Sequence, residues 1–295
     1  MADNARALDN LPEIRLGTSS FTAAGWDGPF YPRGLKSADR LAFYAEHFDT
    51  VEIDSTFYAC PSPQTVNGWQ SKTPDGFIFS VKVPQIITHE KILVGCDSEF
   101  VEFLDTMGGL GEKLGPMLFQ FPFFDRGVFK TQSDFLDRLI PFLKRLPQVY
   151  KFAVEIRNKE WLDSQFTAVL RDFGVVLVLQ DQSRMPDVRE LCQKFDPITA
   201  DWTYISWLGD RKGIERITKT WDKTVIDRTN EISAWVDVCY ETVRRGVKIF
   251  GYANNHFGGY APATIRQFHD LWSTKGLPEL RKPKTKARAA TLFDI

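Results

Sequence analysis

Lys151-Phe-Ala-Val-Glu-Ile-Arg157, followed by Asn158-Lys-Glu-Trp161, is the stretch whose reading decides the fold. Phe152, Ala153, Val154 and Ile156 suit a strand buried on both faces, as in a parallel sheet. Glu155 and Arg157 interrupt that run two residues apart. Side chains at i and i+2 of a strand share a face, so a carboxylate and a guanidinium point the same way near the strand's C-terminal end. A buried lone charge is costly, so a pair, a ligand or water must answer both. A structural ion pair is the plain reading. A ligand site is the functional one, and it needs a reason for this strand end to line a cavity.

The pattern on either side supplies that reason. Strand-like runs at residues 14–19, 50–54, 77–83 and 117–121 precede the stretch, and runs at 175–181, 203–207 and 248–254 follow it. Between them lie helical patterns at 37–48, with Ser37 as cap, at 63–69, where Ser62 caps and Pro63 starts the first turn, and at 97–107. Further ones lie at 133–146, where Pro141 predicts a kink or break, and at 160–173, closed by Gly174. The last run over 187–194, 231–245 and 263–275. Eight strands alternating with eight helices argue an α/β protein whose parallel sheet closes into a (β/α)8 TIM barrel. The barrel is expected as one domain over residues 14–276, with a flexible N-terminal extension (1–13) and a disordered basic tail (277–295). An open doubly wound sheet is the alternative. No strand-turn-helix junction carries G-x-G-x-x-G, and Gly108-Gly109-Leu-Gly111 follows a helix.

Composition narrows the classes. The 295 residues are 43% hydrophobic and 25% charged with a net charge of −1, so no global attraction to nucleic acid or membrane is expected. Cys60, Cys96, Cys192 and Cys239 are scattered without a C-x-x-C, which argues reduced thiols rather than a zinc or disulfide framework. No apolar run approaches the ~20 residues of a spanning helix, and a cytoplasmic protein is expected.

In such barrels the active site forms at the C-terminal strand ends. Here those ends carry Glu52 and Asp54, Lys82, Gln120, Glu155 and Arg157, Asp181, and Asn254 and Asn255, with His89 and His256 just beyond. Glu155, Glu52 and His89 are the candidate acid/base groups. Arg157, Lys82, Gln120, Asp181, Asn254 and Asn255 are candidate substrate contacts, with Tyr58 and Trp26 available to stack on a ring. Leu208-Gly-Asp-Arg211 and the loop from Asn254 to Gly259 could cradle phosphate, or simply turn. No metal or other cofactor is expected. A divalent ion held among Glu52, Asp54, Glu155, Asp181, His89 and His256 is the chemical alternative, unsupported by any short ligand motif.

Several ordered motifs carry a family resemblance. They are Gly17-Thr-Ser-Ser-Phe21 with Gly28-Pro-Phe-Tyr-Pro32, Phe48-Asp-Thr-Val-Glu-Ile-Asp-Ser-Thr-Phe-Tyr58, and Phe79-Ser-Val-Lys-Val-Pro84 with Thr88-His89. Leu114-Gly-Pro-Met-Leu-Phe-Gln-Phe-Pro122, Val154-Glu-Ile-Arg157 with Trp161, Asp181 and Asn254-Asn-His-Phe-Gly-Gly-Tyr-Ala-Pro262 complete the set. From about residue 14 to 272 the chain resembles the YecE-like family (domain of unknown function 72). The resemblance implies a TIM barrel with a polar rim pocket using Glu52, Lys82, His89, Gln120, Glu155, Arg157 and Asn255, and it implies no reaction. One departure is Ser206, which stands where many members carry an arginine.

The tail Arg281-Lys-Pro-Lys-Thr-Lys-Ala-Arg288 ends in Thr291-Leu-Phe-Asp-Ile295. Leu292 and Phe293 after a basic linker resemble peptides that dock on a DNA sliding clamp, although the usual glutamine is missing; a frayed end is the plainer reading. The leading expectation is an enzyme, of hydrolase or isomerase/lyase type, acting on a small polar or anionic metabolite of sugar or phosphate type by acid/base chemistry at the rim. A nucleic-acid-associated protein recruited by its tail, and a non-catalytic ligand-binding barrel, are the alternatives.

Overall fold

The computed structural model describes residues 12–280. Eight parallel strands, β1 (Ile14–Thr18), β2 (Thr50–Ile53), β3 (Ile78–Lys82), β4 (Leu114–Gln120), β5 (Phe152–Glu155), β6 (Val176–Gln182), β7 (Trp202–Gly209) and β8 (Lys248–Ala253), run in the order β1-β8-β7-β6-β5-β4-β3-β2. β1 meets β2 through a single bridge, Ser19 to Glu52, and the hydrogen bond from Ser20 N to Glu52 O (2.7 Å). The strands thus form a nearly closed (β/α)8 TIM barrel, and the open-sheet alternative falls away.

Gly17 permits that seam. A Cβ there would stand 2.2 Å from the carbonyl oxygen of Thr50, so any side chain would push the two strands apart. Tyr44 adds a second tie, its hydroxyl accepting from Thr18 N (2.9 Å) while donating toward Thr50 O (3.2 Å).

The helices are α1 (Arg40–Tyr44), α2 (Pro63–Lys72), α3 (Asp97–Gly108), α4 (Gln132–Leu143), α5 (Ser164–Asp172), α6 (Val188–Lys194), α7 (Arg211–Ile214), α8 (Thr229–Arg244), α9 (Asn255–Gly258) and α10 (Ala261–Thr274). Local chemistry accounts for several ends. Ser62 accepts from Thr65 N at the start of α2, and Thr131 with Asp134 forms a capping box on α4, each cap contributing about 1 kcal/mol. Two expectations are corrected. The 37–48 helix is a 3-10 turn (Ser37–Asp39) followed by the short α1, and Ser37 makes no cap bond. Pro141 does not break α4, which continues through it to Leu143.

Strand alternation sorts the side chains into two cores. Outward residues such as Val51, Phe79, Phe119, Val154, Leu177 and Ile249 pack under the helices. Inward residues Leu118, Ala153, Val176, Val178, Trp202, Tyr204, Phe250 and Tyr252 fill the barrel as a smaller core. Tyr252 is tied there through its hydroxyl to Thr50 Oγ1 (2.8 Å) and Ser80 Oγ (2.6 Å). Two residues further along the strands, on the same inner face, stand Glu52, Lys82, Gln120, Glu155, Gln180 and Ser206. The filled lower barrel therefore supports a polar upper layer.

Candidate functional site

A cavity of about 680 Å³ opens above that layer, at the C-terminal strand ends. Its floor includes Lys82, Gln120 and Arg157, and its walls come from the loops after β2, β3, β6, β7 and β8. A second cavity of about 220 Å³ lies at the opposite end of the barrel, beside Lys151, Trp202 and Lys248, and contains none of the expected site residues.

Lys82 is 8% exposed and anchored on several sides. Its Nζ lies 2.6 Å from Asp54 Oδ1 and 3.7 Å from Glu52 Oε1, charge contacts rather than aligned hydrogen bonds, and donates to Gln120 Oε1 at 3.3 Å. Burial alone would lower the Lys82 pKa, but Asp54, Glu52 and Glu155 outweigh it and hold the ammonium protonated. Glu52, 1% exposed, receives a hydrogen bond from Tyr204 Oη. Its carboxyl is pushed up to about 7 by burial, against the pull of Lys82 and with Asp54 adding repulsion. Glu155, also 1% exposed, is in direct ion-pair contact with Arg157, whose Nε is buried without a hydrogen-bond partner among the described residues. The two glutamates lie beneath the cavity floor, and the cations they hold are what faces the opening.

His89 lies on the cavity wall, on a single π-helical turn (Ile86–Glu90) after β3. Such turns recur at functional sites. Ile92 and Leu93, just beyond, adopt positive φ (44° and 66°), an uncommon conformation for such side chains. The Nδ1 of His89 pairs with Thr88 Oγ1 at 2.9 Å. Burial, and then the nearby Arg157, hold the imidazole below its ordinary pKa, so it is neutral at neutral pH.

Asp54, Tyr58, Gln120, Asn254 and His256 also line the cavity. Asn254 caps α9 through His256 N (3.0 Å), and His256 Nδ1 contacts Asn254 Oδ1 at 2.6 Å. Three expected contacts lie elsewhere. Trp26 is 1% exposed and packed edge-on against Phe30 and Tyr260. Asp181 accepts from Trp235 Nε1 (2.8 Å) and faces a neighbouring cavity of about 220 Å³. Asn255 accepts from Ala261 N (2.9 Å), fixing the start of α10. The alternative metal set does not assemble: among the described residues no three His, Cys, Asp or Glu side chains are placed to hold an ion. The reason is local, since Lys82 occupies the space between Glu52 and Asp54, and Asp181 is turned toward Trp235. Leu292 and Phe293 lie outside the described residues. No helix among those residues is long and apolar enough to cross a membrane.

Arg184, Lys212, Gln85 and Phe57 line the cavity without having been singled out in the sequence. Arg211, on the quoted phosphate-type loop, joins them. Gly209 lets that loop approach α9, since a Cβ there would stand 2.4 Å from His256 O, and its φ of +69° suits glycine.

A family model described as "Protein of unknown function DUF72" matches residues 15–288. The chain belongs to the DUF72 family. UPF0759 protein YecE of Escherichia coli K12 is 34% identical over 137 residues, 46% of this chain and 47% of that protein. UPF0759 protein YunF of Bacillus subtilis 168 is 31% identical over 151 residues, 48% of this chain and 51% of that protein. The matched region spans about half the length of these relatives. Among solved structures, a DUF72 protein of Thermotoga maritima superposes with a TM-score of 0.70 at 25% identity, covering 88% of this chain and 99% of its own. One from Enterococcus faecalis V583 gives 0.66 at 21% identity, covering 88% and 95%. These DUF72 structures share the barrel, and the resemblance read from the motifs is a family membership.

Proposed function

We propose that this protein is an enzyme acting on a small anionic metabolite, of sugar-phosphate type, by proton transfer at the rim cavity. One observation carries the reading: five cations, Lys82, Arg157, Arg184, Arg211 and Lys212, line the cavity against two carboxylates, Asp54 and Asp210. Lys82 and Arg157 seat the anion through charge-assisted contacts at the cavity floor. His89, neutral and on the wall, is the group that exchanges a proton with the ligand. Glu155 and Glu52 act through the cations above them, Glu155 aiming Arg157 and Glu52 trading proton affinity with Lys82. Gln120 steadies Lys82, while Asp181 and Asn255 hold the framework of the loops.

Calorimetric titration of the full chain with a panel of sugar phosphates and their parent sugars tests this. The expected result is affinity for at least one phosphate, none for its parent sugar, and at least about tenfold weaker binding in Arg157→Gln, the loss of a charge-assisted contact. For any phosphate that is turned over, His89→Gln should lower kcat while leaving affinity within about threefold. Equal affinity for sugar and sugar phosphate, or full turnover in His89→Gln, would contradict the reading.

A further inference from the structure

We propose that the ligand of the rim cavity is of nucleotide type, a flat aromatic ring joined to a phosphate; this rests on the anion-binding reading of the same cavity. Tyr58 is 70% exposed and yet lines the cavity. Its ring is propped edge-on by Phe57 at 5.3 Å, and Phe57 is set edge-on to His89 at 5.0 Å. A large aromatic side chain held at a cavity mouth and left open to water gains nothing for the fold, whereas it offers a stacking surface to a ligand ring.

The strand order fixes what stands opposite. β6 is four strands from β2 around the barrel and β7 is three, so their loops face the loop after β2 across the mouth. Those loops supply Arg184, Arg211 and Lys212. One wall is therefore aromatic and the facing one cationic. A sugar phosphate without a ring would leave Tyr58 in water, and an uncharged ring would make no use of Arg184 and Lys212, which, unlike Arg211 on Glu215, have no ion-pair partner among the described residues. A molecule carrying both features meets both walls, and about 680 Å³ falls within the usual range of small-molecule sites. Gln85, Gln182 and Ser183, also on the lining, offer donors and acceptors to the edge of a base. The same chemistry belongs to a free nucleotide and to the phosphorylated end of a single strand.

Calorimetry of the full chain with adenosine 5′-monophosphate, ribose 5-phosphate and a 5′-phosphorylated single-stranded tetranucleotide tests the proposal. Adenosine monophosphate is expected to bind at least about tenfold more tightly than ribose 5-phosphate, the order associated with one base–aromatic stack. Tyr58→Ala, at an exposed loop position, should remove that advantage and leave ribose 5-phosphate binding unchanged, and Tyr58→Phe should retain it. A tetranucleotide bound more tightly than the mononucleotide assigns the strand end, and equal or weaker binding assigns the free nucleotide. The proposal is overturned if adenosine monophosphate binds no better than ribose 5-phosphate while the latter still binds, or if Tyr58→Ala weakens both alike. Absence of binding by all three overturns the nucleotide proposal, and the sugar-phosphate panel then decides the anion reading separately.

Discussion

Lys82 keeps its charge in a place that excludes most water, and it does so because Asp54, Glu52 and Glu155 surround it. The consequence falls on Glu52, whose carboxyl moves from an ordinary 4.5 to about 7, with burial as the leading cause. The folded state then binds the Glu52 proton more tightly than the unfolded chain. That contribution to stability is complete below about pH 4.5 and is lost as pH rises through about 7. Asp49, raised to about 6 by burial, acts in the same direction, whereas His89, His256 and His269, all held low, act oppositely. The difference between wild type and Glu52→Gln isolates the effect. In urea unfolding series from pH 4.5 to 7.5, the wild type should lose on the order of 2 kcal/mol relative to the variant. Parallel curves for the two proteins would rule out the raised carboxyl. Spacing alone placed Glu155 with Arg157 on one face and set Glu52 and Lys82 at the C-terminal strand ends. It could not reveal the hydroxyl of Tyr204 on Glu52, because the two lie 152 residues apart and meet only once the barrel closes.

At the scale of elements, the seam between β1 and β2 is where closure is weakest and most specific. Only one bridge and a few side-chain ties join these strands, and the close approach at Gly17 makes them possible. Gly17→Ala should cost about 3 kcal/mol or more, since the clash is with backbone rather than with a flexible side chain. Urea denaturation checks this, and a loss below about 1 kcal/mol would show that the seam yields without strain. The strands were legible because each is a short apolar run between turn residues, and most observed boundaries lie within three residues of the reading. The loops were not legible. Arg184 and Lys212 sit on segments without periodicity, so nothing in the local pattern separates a cavity-facing cation from a solvated one. Trp26 misled for a related reason: a tryptophan in a glycine-rich loop reads as exposed, yet this loop folds over an aromatic cluster and buries it.

For the whole molecule, a net charge of −1 conceals a local asymmetry. The mouth of the barrel carries five cations against the two carboxylates Asp54 and Asp210, and the buried Glu52 and Glu155 lie beneath its floor. Such a concave positive site concentrates small anions while leaving the overall surface neutral. Eightfold β-α alternation made the architecture and the end bearing the site readable, and the sign of the mouth depends on loops that only the folded chain brings together. The most direct test is a crystal soaked in tungstate, an oxyanion located by its anomalous scattering. The account predicts a peak on the cavity floor, within hydrogen-bonding reach of Lys82 Nζ and the Arg157 guanidinium, that disappears in Arg157→Gln. A cavity without tungstate, with peaks only on the outer surface, would contradict it.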